Sequence, residues 1–144
     1  MIIVGEKINT SLKGVTEAVK NRDVEVIRQR AIDQTKNGAH YIDVNCGGTL
    51  IDQETKPFPG WLRLSRKLAH SPCCIDSPNP LALAAAVKLH KGKPMINSIT
   101  AEKERYNSII PLVRGYNAAI VALVMDDEHG MPKDAPTRIK SALA

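Results

Sequence analysis

PMINSITAEKERYNSIIPLVRGYNAAIVALVMD, residues 94–126, is the stretch on which the fold turns. Residues 94–97 read as a short strand, and Ser98 or Thr100 is placed to cap a helix over 101–114. Within that helix Tyr106, Ile109, Ile110 and Val113 recur at helical spacing, while Glu102, Lys103 and Arg105 are assigned to the opposite, solvated face. Gly115 is expected to stop it. Residues 118–126 then form a nearly continuous apolar run, the pattern of a strand covered on both faces. A strand, a helix and a further strand in so short a stretch form a crossover unit, the connection that parallel pairing requires.

The same unit recurs on both sides. Strands are expected over 1–9, 39–45 and 72–76. Helical patterns occupy 15–21, 24–37, 80–89 and 136–144. Asp23 is an expected N-cap, Asn37 and Gly38 form a C-cap signal, and Asn79 can cap a helix whose first residue is Pro80. Cys46, Gly47 and Gly48 follow the second strand, where paired glycines permit a sharp turn or close approach to a ligand. Residues 49–60, with Pro57 and Pro59, read as a loop, and Trp61, Leu62, Leu64 and Leu68 as the apolar face of a helix ending near His70.

Every strand stops at an amide or a carboxylate: Asn9, Asn45, Asp76, Asn97 and Asp126, the last preceded by Met125. Parallel strands joined by helices bring these residues to one rim, and the carboxyl ends of such strands are where ligands bind. No GxGxxG follows the first strand, so a dinucleotide-binding sheet is not indicated. A closed eight-stranded barrel takes about 200–250 residues, more than the 144 of this chain. The reading is therefore an α/β domain of (β/α) repeats, about five strands of a TIM-type barrel. Such an incomplete half-barrel would have two open edges that invite dimerisation.

Composition narrows the function. The net charge of +5 comes from 20 basic residues spread along the chain against 15 acidic ones, and only 3% of residues are aromatic. That leaves few rings for stacking bases, and nucleic-acid binding is not expected. No apolar run approaches the roughly 20 residues that cross a bilayer, and residues 1–9 are too short and too soon charged for a signal peptide. A cytoplasmic protein without a membrane partner is expected. Cys46, Cys73 and Cys74 lack the paired spacing of a zinc site, and adjacent cysteines on a strand point to opposite faces, so free thiols and no metal are the expectation. His40, His70, His90 and His129 are scattered and receive no role. Asp43 shares a strand face with Asn45, and Lys7 is a candidate partner for its charge. Asn9 and Asn45 divide evenly between lining a pocket and tying strand ends together.

Five motifs in order resemble one family. GEKIN at 5–9, YIDVN at 41–45, CIDSPNP at 74–80, HKGKPMINSI at 90–99 and MDDEHGMPK at 125–133 are similar to signatures of the methyltetrahydrofolate-dependent corrinoid methyltransferases. The pterin-binding domain of that family resembles dihydropteroate synthase and the folate module of cobalamin-dependent methionine synthase. The resemblance implies that residues 1–144 are the N-terminal portion of a pterin-binding (β/α)8-type domain. It further implies transfer of the N5 methyl of methyltetrahydrofolate to the cobalt of a corrinoid carried by a partner protein. Asp76 would accept hydrogen bonds from the N–H groups on the pyrimidine edge of the pterin, a task suited to a carboxylate with two acceptor oxygens. Asn97 would complement it, Asn45, Asn9 and Asp126 would support the pair, and the Met125 thioether would flank the ring.

The groups that contact N5 in the family come largely from strands six to eight, which leaves the catalytic residues unassigned. The basic segment with Lys56, Arg63, Arg66 and Lys67 departs from the acidic character of the family there and points to an altered corrinoid-docking surface. Two other readings stay open, a non-catalytic folate-binding or interaction module and a dihydropteroate-synthase-like enzyme, the latter disfavoured by GEKIN.

Overall fold

The computed structural model describes residues 1–45 and 72–143. The expected loop over 49–60, the Trp61 helix, Cys46 and its two glycines, and His70 lie outside the described residues. Those described form β1 (Val4–Asn9), α1 (Lys13–Lys20), α2 (Val24–Lys36), β2 (Tyr41–Asn45), β3 (Cys73–Asp76), α3 (Pro80–Val87), β4 (Met95–Ile99), α4 (Lys103–Tyr116), β5 (Ala119–Ala122) and α5 (Ala135–Leu143).

The five strands make one sheet in the order β1-β2-β3-β4-β5, and every neighbouring pair is parallel. Sequential order distinguishes this sheet from a doubly wound one. A doubly wound sheet reverses its strand order at a switch point and carries helices on both faces, whereas right-handed crossovers between successive neighbours place all helices on one face. The core agrees. Val15, Ala18 and Val19 of α1, Ile27 and Ala31 of α2, Leu83, Ala86 and Val87 of α3, and Ile109 of α4 pack in one buried cluster with Ile8, Ile42, Val44, Cys73, Ile75 and Ile96 of the strands. This is the wall of a TIM-type barrel over five strands.

Local chemistry sets the helix starts. Asp23 accepts from the N–H groups of Glu25 and Val26, and Asn79 accepts from those of Leu81 and Ala82 with Pro80 in the first turn, both as expected. The α4 start differs. Neither Ser98 nor Thr100 caps it: Thr100 donates instead to Glu102 at 2.8 Å, and the free N–H of Lys103 is accepted by Asp127 at 2.9 Å. The cap comes from a loop 24 residues further along the chain. Gly115 does not end α4 either, because the helix runs to Tyr116 and Asn117 takes the left-handed conformation at φ 48°. A short amide side chain tolerates that region better than most.

The last strand is the largest departure. It ends at Ala122, four positions before Asp126, and none of its four residues is fully buried. As the final strand of the described sheet it lacks a neighbour on one side, so apolar residues that read as doubly covered are half exposed. At the other edge, the Lys7 peptide is satisfied by a helix. Its N–H is accepted by Gln34 at 2.7 Å and its carbonyl receives Arg30 at 3.3 Å.

His40 and His90 also serve the sheet. His40 Nδ1 accepts the Ile3 N–H, and His90 Nε2 accepts the Cys73 N–H, each at the amino end of a strand.

Candidate functional site

With the odd-and-even alternation of β2 and β3 turning Ile42, Val44, Cys73 and Ile75 to the helices, Asp43, Asn45, Cys74 and Asp76 face the other way. Toward their carboxyl ends the strands are in step: Asn9 is the register partner of Asn45, Asn45 of Asp76, and Asp76 of Asn97, although β4 runs two residues past Asn97, to Ile99, and does not stop there as expected. Four polar residues, one from each of four neighbouring strands, therefore stand in a single row at the rim. The fifth member is Val121, the partner of Asn97 on β5.

Hydrogen bonds lock the row. Asn45 Nδ2 donates to Asp76 Oδ2 at 2.6 Å, and Asn97 Nδ2 donates to Asp43 Oδ1 at 3.2 Å. Asn9 Oδ1 is turned to the Ser11 N–H at 2.8 Å, which shapes the turn after β1. Beneath the rim lies Asp43, 1% exposed, with the fully buried Cys74 beside it. Its partners are the Asn97 amide and the Cys74 thiol, not Lys7. Lys7 lies on an exposed part of β1, and its backbone is held by α2.

The row is an acidic environment short of water. Burial pushes Asp43 up to about 6, hydrogen bonds from Cys74 and Asn97 pull it down, and the charges of Asp76 and Glu6 push it up again. Asp76 is raised chiefly by burial and by the Glu6 charge, against the Asn45 hydrogen bond and the Arg105 charge. Burial also raises the Cys74 thiol well above its usual value, so it is no thiolate nucleophile. A half-buried carboxylate at the rim with a buried one beneath it, flanked by amides that both donate and accept, forms a surface for a flat polar ring with adjacent N–H groups.

Asp126 and Met125 stand apart from that row. Asp126 Oδ1 accepts the N–H groups of Glu128 and His129 and the His129 ring, and its other oxygen takes the Ser141 hydroxyl. These bonds, Ser141 first, hold Asp126 down to about 2. It thus ties the loop after β5 to α5. The Met125 carbonyl accepts the Ala101 N–H at 2.8 Å, which ties the same loop to the entry of α4.

The residue that the sequence reading passed over is Arg105. Assigned to the solvated face of α4, it is half buried, and its guanidinium donates to the carbonyls of Ser98, Ser77 and Pro78. A signal was present: Arg105 lies four positions before the buried Ile109, on the same stripe of the helix. Among the described residues no group of three or more His, Cys, Asp or Glu side chains is disposed to hold a metal, and no helix is long and apolar enough to cross a membrane.

Comparison with known proteins identifies the family. The family model described as "Pterin binding enzyme" matches residues 5–143. The chain is 33% identical over 142 residues to the methylcorrinoid:tetrahydrofolate methyltransferase of Eubacterium limosum, covering 97% of this chain and 52% of that protein. It is 30% identical over 150 residues to the methionine synthase of Mycobacterium tuberculosis (strain ATCC 25618 / H37Rv), covering 99% of this chain and 12% of that protein. The chain thus spans about half of one curated relative and a small part of the other. The parallel (β/α) sheet is of the TIM-barrel class, and the chain belongs to the pterin binding enzyme family.

Proposed function

We propose that this chain carries the pterin-recognition wall of a domain that transfers a methyl group between N5 of a tetrahydrofolate and a corrinoid protein. The observation that carries the reading is the row Asn9, Asn45, Asp76 and Asn97, in register toward the carboxyl ends of four adjacent strands. Asp76 offers carboxylate oxygens to the N–H groups of the pyrimidine edge, and Asn97 supplies a donor and an acceptor beside it. Asn45, already bonded to Asp76, fixes the carboxylate orientation. Met125 and Asp126, expected from the sequence to join this set, instead hold the loop after β5 against α4 and α5.

The partner-borne corrinoid supplies the cobalt that exchanges the methyl group. What the residues of this chain contribute is binding and orientation. A folate held edge-on to the rim by Asp76 and Asn97 directs N5 away from the strands toward the open face, and fixing that attitude removes much of the entropic barrier to transfer. The name of the E. limosum methyltransferase runs the methyl group from corrinoid to tetrahydrofolate, the reverse of the direction expected from the motifs. Contacts to the pterin edge serve both directions equally, since the same transition state is crossed either way.

Direct titration with methyltetrahydrofolate tests the reading. Saturable binding that weakens in Asp76→Ala and Asn97→Ala, with the fold intact by circular dichroism, supports it, and absence of binding at millimolar ligand overturns it. Turnover is a separate measurement, with a cobalt(I) corrinoid protein as acceptor and cobalt absorbance as the readout. A flat trace beside an active full-length relative favours the binding-module alternative. A second copy covering the open edges of β1 and β5 is the oligomer this reading expects, and sedimentation reads it directly.

A further inference from the structure

Of the groups proposed to recognise the pterin, Asp76 is the last residue of β3, while Asn97 lies two residues before the end of β4. The carbonyls of Ser77 and Pro78 follow Asp76 directly, and that of Ser98, still within β4, follows Asn97. One side chain collects all three. Arg105 Nε and Nη2 reach the Ser98 carbonyl at 3.0 and 2.8 Å, Nη2 reaches Ser77 at 3.1 Å, and Nη1 reaches Pro78 at 2.8 Å. A direct backbone tie between the two segments is long, Ser77 N–H to the Asn97 carbonyl at 3.4 Å.

We infer that Arg105 is a positioning residue of this site, clamping the turn after Asp76 to the Ser98 carbonyl of β4 and placing a fixed positive charge behind the rim. The inference rests on the pterin-site reading above and deepens it. A planar, permanently charged fork is the side chain suited to bridging several carbonyls, and a lysine cannot span them from one ammonium. Charge is the second part of the role. Asp76 faces Glu6 from β1, Asp43 from β2, Cys74 from its own strand and Arg105 from α4, and Arg105 is the only cation of that set. Glu102 in turn balances Arg105 from the start of α4. A carboxylate that must accept N–H groups has to be ionised, and the guanidinium favours that form against burial and two neighbouring acids.

The test uses Arg105→Gln and Arg105→Lys beside the wild-type chain. The Asp76 carboxyl is followed by carbon-13 NMR against pH, with Asp76→Asn to assign it, and methyltetrahydrofolate binding is titrated from pH 5 to 8. Arg105→Gln is expected to raise the Asp76 midpoint, because the neighbouring cation that favours the ionised form is gone. The acid limb of binding should move with it. Arg105→Lys should leave the midpoint near that of the wild type while weakening binding severalfold at every pH, because the charge stays and the clamp is lost. An unchanged Asp76 midpoint in a folded Arg105→Gln chain overturns the inference, as does full binding in Arg105→Lys. If Arg105→Gln fails to fold, the Arg105→Lys binding profile decides alone. Should the wild-type chain bind no folate, the pterin reading fails while the Asp76 midpoint still reports on Arg105.

Discussion

Asn97 and Asp43 meet at 3.2 Å although β3 runs between their strands. The contact passes over Cys74, whose thiol bonds to the same carboxylate, so one buried acid holds the rim amide of a strand two places away. That arrangement stores a cost that pH can reveal.

Asp43 has its midpoint raised to about 6 by burial, against about 3.9 in an unfolded chain. Between those values the native state holds more proton than the unfolded one, so stability falls as pH rises through this window and stays low above it. The shift corresponds to about 3 kcal/mol. Asp43→Asn keeps an acceptor for Asn97 and removes the charge. It is expected to be more stable than the wild type by about 1–3 kcal/mol at pH 8, with the difference gone near pH 4. Urea denaturation at both pH values reads this, and equal differences at the two would refute it.

Asp76 and Asn97 separate by chemistry. Loss of a charge-assisted hydrogen-bonding partner costs about 2–3 kcal/mol, or roughly 30- to 150-fold in affinity, and loss of a neutral one about 1 kcal/mol. Asp76→Ala should therefore weaken methyltetrahydrofolate binding more than Asn97→Ala does. Calorimetric titration of both variants checks the order.

Gly5 makes room for the cap on β1. A Cβ there would stand 2.7 Å from Gln34 Oε1, the atom that accepts the Lys7 N–H. Gly5→Ala is expected to displace Gln34 and lose about 1 kcal/mol of stability. Once Gln34→Ala has removed the obstacle, adding Gly5→Ala should cost little more, a non-additivity that a thermal-unfolding cycle measures.

Asp126 titrates in the opposite sense to Asp43. Its midpoint is held down to about 2 by the Ser141 hydroxyl and the His129 N–H, so the stability it adds is complete above the ordinary carboxylate range and is lost as pH falls through 2. Ser141→Ala should lower the melting temperature at pH 7 and converge on the wild type toward pH 2. A constant offset across that range would count against the assignment.

The local parts of this fold were legible because their causes are local. Asp23 and Asn79 cap helices through bonds to residues two and three positions on, so each signature lies within one short window. The cap of α4 was not legible, since Asp127 reaches Lys103 only after β5 has returned the chain to the same end of the sheet. Arg105 was misassigned for a related reason. Its helical position indicated the core side, but an arginine is read as solvated unless the carbonyls that would receive it are known to converge there.

Sequence alone determined the strand–helix rhythm, the residues Asn9, Asn45 and Asp76 that end the first three strands, and the family, because periodicity and capping are properties of neighbouring residues. Tertiary structure decided which of those ends share a row. Register is a relation between strands, and it aligned Asn9, Asn45, Asp76 and Asn97 while putting Val121 in the fifth place. Asp126 stood in sequence as a fifth rim residue. In the folded chain, β5 ends too early for it to join, and its carboxylate is drawn instead to Ser141 and His129.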